Sequence, residues 1–120
     1  MKRILAVDDS SSVREMISFT LRKAGYEVVQ ANDGQDGLQR SSSAKYDLVI
    51  TDLNMPRLDG IQMITAMRRQ PGYGFTPILM LTTESQPEKK AAGKAAGATG
   101  WIVKPFNPDQ LVQVVQKLIR

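Results

Sequence analysis

Apolar positions along the chain fall into two alternating patterns, short unbroken runs and longer stretches spaced like one face of a helix. Arg3-Ile-Leu-Ala-Val7 is an apolar run ending on two aspartates. After Ser10-Ser11-Ser12, residues suited to capping, Val13, Met16, Ile17, Leu21 and Ala24 recur at helical spacing until Gly25, a residue type favoured just past a helix end. Glu27–Gln30 reads as a short strand, Asn32-Asp33-Gly34 as a turn into a weaker helix around Leu38, and Ser41-Ser42-Ser43 as a loop. Asp47–Thr51 is a third strand ending at Asp52, followed by a loop from Met55-Pro56 to Asp59-Gly60 and a helix marked by Ile61, Ile64 and Met67. Gln70–Thr76 holds two glycines and a proline and reads as a loop; Pro77–Leu81 is a fourth strand, ending in Thr82-Thr83. Glu88–Ala96 is a helix rich in Ala and Lys, Gly100–Val103 a fifth strand, and Asn107-Pro108 opens a last helix carrying Leu111, Val114, Val115 and Leu118.

Strands that read as continuous apolar runs are buried on both faces, and the helices between them predict a parallel sheet with right-handed crossovers. The expectation is a single α/β domain over residues 1–120, a doubly wound five-stranded (βα)5 sheet. Ligands of such sheets bind outside the carboxyl ends of the strands, where the strand order reverses. The residues there are Asp8 and Asp9 after the first strand, Asp52 after the third, Thr82 after the fourth and Lys104 after the fifth.

Composition narrows what this edge can do. Hydrophobic residues make up 42% and charged residues 23% of the 120, the balance of a globular domain. No apolar run approaches the roughly 20 residues of a membrane span, and the opening MKRILAVDD is too short for a signal-peptide core, so a cytoplasmic location without membrane insertion is expected. Cysteine and histidine are both absent, which excludes disulfides, thiolate metal sites and the commonest general base. The net charge of +4 is spread over scattered lysines and arginines with no basic tail or aromatic-basic stripe, so direct nucleic-acid binding is not expected.

Each candidate has an ordinary reading by itself. Asp8 and Asp9 could favour the positive end of a helix, Asp52 could start a turn, Thr82 could be a strand-end hydroxyl and Lys104 a solvated charge. Their convergence from separate strand ends has no such reading. Clustered carboxylates repel unless a cation intervenes, and an all-oxygen donor set favours Mg²⁺, or Mn²⁺, over zinc. Mg²⁺ with carboxylates suits phosphoryl chemistry, in which Asp52 can act as nucleophile while Lys104 and Thr82 hold phosphoryl oxygens.

The motifs Val7-Asp8-Asp9-Ser10, Thr51-Asp52-Leu53-Asn54-Met55-Pro56 with Asp59-Gly60, Leu81-Thr82-Thr83-Glu84 and Lys104-Pro105-Phe106 resemble the receiver domain of two-component response regulators, single-domain CheY-like members in particular. The resemblance covers essentially the whole chain and implies a flavodoxin-like strand order 2-1-3-4-5. It implies that Asp52 is phosphorylated by a histidine kinase, that Asp9 ligates Mg²⁺ directly and Asp8 through water, and that the backbone carbonyl of Asn54 completes the protein ligands. Thr82, Lys104 and the backbone N–H of Thr83 would bind the phosphoryl group, and Lys104–Pro105 would be a cis peptide. Asn54 and Glu84 would flank the attacking water and set a phosphorylated lifetime of seconds to minutes. Trp101 stands where many receivers carry a Tyr or Phe that turns inward when the threonine moves, and an indole is larger and donates only through N–H.

An enzyme of the haloacid dehalogenase type would need a second Asp two residues past the nucleophile, where Asn54 stands, and a flavodoxin would need a Ser/Thr/Gly-rich phosphate loop in place of Asp8-Asp9. The chain is therefore expected to catalyse only its own phosphorylation and dephosphorylation. With no chain left for an output domain, the signal is expected to leave, from a monomer, by protein binding on the fourth helix, fifth strand and last helix, made basic by Lys89, Lys90, Lys94 and Lys117. Chemotaxis and flagellar motor control lead among the outputs; phosphate sink, relay intermediate and kinase regulator are the alternatives.

Overall fold

The computed structural model describes residues 1–119. Five strands alternate with five helices: β1 (Arg3–Val7), α1 (Ser11–Lys23), β2 (Glu27–Ala31), α2 (Gly34–Ser43), β3 (Leu48–Thr51), α3 (Gly60–Arg68), β4 (Ile78–Thr82), α4 (Pro87–Ala96), β5 (Gly100–Val103) and α5 (Pro108–Leu118). All pairings are parallel and the strand order is β2-β1-β3-β4-β5. The doubly wound flavodoxin-like sheet is therefore present in the expected order.

Period-two alternation sorts the strand side chains onto two faces. Ile4, Ala6, Leu48, Ile50, Leu79, Leu81 and Ile102 pack beneath α1 and α5 with Ile17, Leu21, Leu111 and Val115. Leu5, Val7, Val49, Ile78 and Met80 face the other way, against Met63, Ile64 and Met67 of α3. Burying each of the branched aliphatic and Met side chains among these contributes about 2 kcal/mol, and the two layers fix the sheet from both sides. Helix ends follow their capping residues: the side chains of Ser10, Asp33, Asp59 and Asn107 accept from backbone N–H groups of the first turns. At the other end of α1, N–H groups of Gly25 and Tyr26 return to the carbonyls of Arg22 and Leu21.

The structure corrects the sequence reading in places. Ser41-Ser42-Ser43 is the last turn of α2 and not a loop: each hydroxyl returns to a carbonyl of that helix, Ser41 to Leu38 and Ser42 and Ser43 to Gln39, and Ser41 also meets Gln70 of the α3–β4 loop. On α1 the buried residues are Ile17, Ser18 and Leu21, while Met16 is 53% exposed and Ala24 is exposed. Only the stripe nearest the sheet is covered, and Ser18 is accommodated there because its hydroxyl accepts from Gln30. Thr82 closes β4 instead of following it.

Candidate functional site

Register delivers the acidic pair. Val7 lies opposite Thr51 across the β1–β3 ladder, so Asp8 and Asp52 emerge side by side one residue later, and the Asp52 N–H bonds the Val7 carbonyl. This is the position at which the strand order reverses, because the chain runs from β1 outward to β2 and returns to β3 on the other side. Asp9 follows on the β1–α1 loop, and one carboxylate oxygen from each of Asp8, Asp9 and Asp52 lies within 4.8 Å of the others. Asp8 and Asp52 are buried and Asp9 is exposed, so the cluster opens to solvent on one side.

Lys104 enters from the end of β5, past β4. Its Nζ donates to Asp8 Oδ2 and to Asp52 Oδ2, both at 2.9 Å. The remaining oxygens are held by backbone: Asp8 Oδ1 accepts from the Ser10 N–H at 2.9 Å and Asp52 Oδ1 from the Leu53 N–H at 2.6 Å. Burial pushes the Asp8 carboxyl above its ordinary value, with the Asp52 charge adding to the rise and the bonds from Lys104 and Ser10 opposing it. Burial alone would lower the Lys104 ammonium, but its bonds to Asp8 and Asp52 prevail and hold it above its ordinary value. One ammonium against three carboxylates leaves two negative charges uncompensated. An all-oxygen, doubly negative set with one open side fits a hard divalent cation such as Mg²⁺.

The β4 and β5 ends complete the edge. Thr82 is wholly buried, and its Oγ1 accepts from the Glu84 N–H at 3.3 Å. Thr83 is exposed beside Lys104, Pro105 and Phe106. Asn54 is exposed at the start of the β3–α3 loop and Glu84 is half-buried on the β4–α4 loop. The Lys104–Pro105 peptide is cis. Trp101 is half-buried, and its indole N–H donates to the Glu84 carbonyl at 2.9 Å. The edge of its ring, at Cζ3, faces α4 at Gly93, where a Cβ would collide with the indole, so only glycine admits the ring this close. Thr82, Glu84 and Trp101 thus form one hydrogen-bonded series from the site to α4.

Over residues 4–116 the sequence matches the family model of the response regulator receiver domain. The chain belongs to that family. Receiver domains take phosphate from histidine kinases in two-component signalling and act on downstream targets. Among solved structures, the chain superposes on the chemotaxis protein CheY4 of Vibrio cholerae with a TM-score of 0.95 at 54% identity, covering 98% of each chain. The receiver domain of the sensor histidine kinase PA1611 of Pseudomonas aeruginosa, solved with a magnesium ion in its active-site cleft, gives a TM-score of 0.91 at 28% identity, with 98% of this chain and 97% of that one covered. The alkaline phosphatase synthesis transcriptional regulatory protein PhoP of Bacillus subtilis is 35% identical over 99% of this chain and 49% of its own length. The chain spans about half the length of the curated relatives it matches.

Two features escaped the sequence reading. Met16 and the 71% exposed Phe19 line an apolar trench between α1 and α5 with Phe106 and Val112, and a second hollow that shares Met16 and Phe106 with it is lined by Val13, Thr83 and Lys104. The exposed side of an amphipathic helix carries no sequence mark of its own unless its residues break the polar pattern, as Phe19 does. The second is Arg57, which pairs with Asp33 across two loops; no local pattern joins residues 24 apart.

Proposed function

We propose that this chain is a phosphorylation-switched receiver in which Asp52 accepts a phosphoryl group from a histidine kinase with Mg²⁺ held by Asp8, Asp9, Asp52 and the Asn54 carbonyl. The observation that carries the reading is the Lys104 ammonium bonded to both Asp8 and Asp52 beside the exposed Asp9. A bound Mg²⁺ would neutralise charge on the phosphoryl oxygens. The Asp52 oxygen attacks phosphorus, the bond from phosphorus to the donor breaks, and the donor leaves with its electron pair. Lys104 then exchanges a carboxylate for a phosphoryl oxygen, and the Thr82 hydroxyl and Thr83 N–H hold others. The hollow that Val13 and Met16 of α1 line together with Lys104 and Thr83 supports approach of a donor protein beside α1. Incubation with acetyl phosphate and Mg²⁺ should add the mass of one phosphoryl group, and Asp52→Asn should remove it. Continued release of phosphate from unrelated monoesters would instead support an aspartate-nucleophile phosphatase.

Thr82 moving toward the phosphoryl group would break its bond from the Glu84 N–H, and through the Glu84 carbonyl would disturb Trp101 and α4. Lys90 and Lys94 line a groove with Thr99, Gly100 and Trp101, a basic surface suited to an acidic partner segment. The likeness to CheY4 favours chemotactic output through protein binding from a cytoplasmic monomer, without direct nucleic-acid contact or turnover of a separate substrate. Capture of a flagellar switch component only in the presence of beryllofluoride would support this output; capture of a second phosphotransfer protein would favour a relay or sink. With Asn54 and Glu84 beside the site, the phosphorylated form should decay in seconds to minutes, and a half-life of hours would overturn that part.

A further inference from the structure

The β3–α3 loop, which carries Asn54, is pinned at both ends and open between them. At one end the Leu53 N–H bonds Asp52, and at the other the Gly60 N–H bonds the Leu53 carbonyl at 2.8 Å. Asn54, Pro56 and Arg57 between them are exposed. The Leu58 N–H returns to the Pro56 carbonyl at 2.7 Å around Arg57, whose φ is +67°. That is a γ-turn in its rarer, positive-φ form, strained for any residue with a side chain. Among the described residues, Arg57 is the one non-glycine with positive φ.

What sustains this turn lies on another loop. Arg57 Nε donates to Asp33 Oδ2 at 2.8 Å, and its Nη2 meets the same oxygen. The Asp33 side chain is only 4% exposed and, through Oδ1, caps α2 by accepting from the Asp36 N–H at 2.8 Å. The Asp36 carboxylate reciprocates to the Asn32 N–H at 3.0 Å, so the anchor is itself fixed. Alongside, Gly34 lies so close to the Leu58 carbonyl that a Cβ there would collide with it. One buried carboxylate therefore ties the start of α2 to the strained turn three residues beyond Asn54.

We propose that Asp33 and Arg57 are a positioning pair, holding the β3–α3 loop in the shape that presents the Asn54 carbonyl toward the Asp8–Asp9–Asp52 cluster and so tightening Mg²⁺ binding without touching the ion. The proposal rests on the cation site described above. Its consequence is that metal affinity responds to two residues that are not ligands, with the partner on α2 as important as the one on the loop.

Calorimetric titration of the purified chain with Mg²⁺ alone, alongside urea unfolding in chelator, tests the pair. Arg57→Gly accepts the positive φ while removing the ion pair, and Asp33→Asn keeps a capping oxygen while removing the charge. Each should weaken Mg²⁺ binding by about tenfold, the scale of outer-shell partners at metal sites. The double variant should bind no more weakly than the weaker single one, and Arg57→Lys should recover most of the affinity. Arg57→Gly relieves the positive φ as it removes the ion pair and leaves the α2 cap in place, so its unfolding in chelator should shift less than that of Asp33→Ala. Unchanged Mg²⁺ affinity in Arg57→Gly and Asp33→Asn, with the parent binding normally, would overturn the pairing. So would two losses that multiply in the double variant. A parent that binds no Mg²⁺ would overturn the cation site itself and this role with it.

Discussion

Asp8 and Asp33 sit on the same edge of the molecule and are buried alike, 1% and 3% exposed, yet their surroundings act on them in opposite directions. Asp33 has its charge answered: the Asp36 N–H holds its carboxyl below the ordinary range against the opposing effect of burial, and Arg57 adds to this. At Asp8 burial prevails, and the single ammonium of Lys104 is shared with Asp52. Burial of an acid therefore does not mark a functional site. What does is a charge balance that protein groups leave incomplete, because the completing group must come from outside.

The largest effect is expected at Lys104. Lys104→Met removes the one cation from the cluster and should lower stability by about 3 kcal/mol in chelator, with Mg²⁺ restoring more stability to the variant than to the parent; equal unfolding midpoints in chelator would show that the carboxylates do not strain the fold. Next, Asp33→Ala should lower stability by about 2 kcal/mol through loss of a cap and of a charge-assisted bond, read from urea unfolding. Asp8→Asn should move the other way, raising stability in chelator by about 1 kcal/mol, while weakening Mg²⁺ binding. A loss there as large as for Asp33→Ala would erase the contrast between the two acids. The smallest effect is in pH. The folded-state carboxyl of Asp33 is lowered, so its contribution is full above the unfolded aspartate value of about 3.9 and is lost as pH falls through the folded value. The stability gap between the parent and Asp33→Ala should accordingly narrow in acid, and a gap that widened would contradict the sign.

How much of this could be read in the chain differs from element to element. Strands β1, β3 and β4 were legible because burial on both faces leaves unbroken apolar runs, and the cluster followed from asking what stands past each strand end. The Ser41–Ser43 turn was not, because three serines suit a loop and a helix end equally until Gln70 and the helix carbonyls are present to bond them. Met16 belongs to the helical repeat of α1 and is still 53% exposed, because such a repeat shows which residues share a face but not how wide a stripe the sheet will cover.

The element order, the sheet class and the five residues standing at the strand ends follow from periodicity and from a topology with few alternatives, and the structure brings four of the five, Asp8, Asp9, Asp52 and Lys104, into one cluster. Tertiary structure alone decided that Lys104 serves two aspartates at once, that Trp101 is bonded to Glu84 and seated on Gly93, and that Arg57 finds Asp33. Each of these is a contact between distant segments, set by strand register and by the way loops pack. Neither leaves a period in the chain.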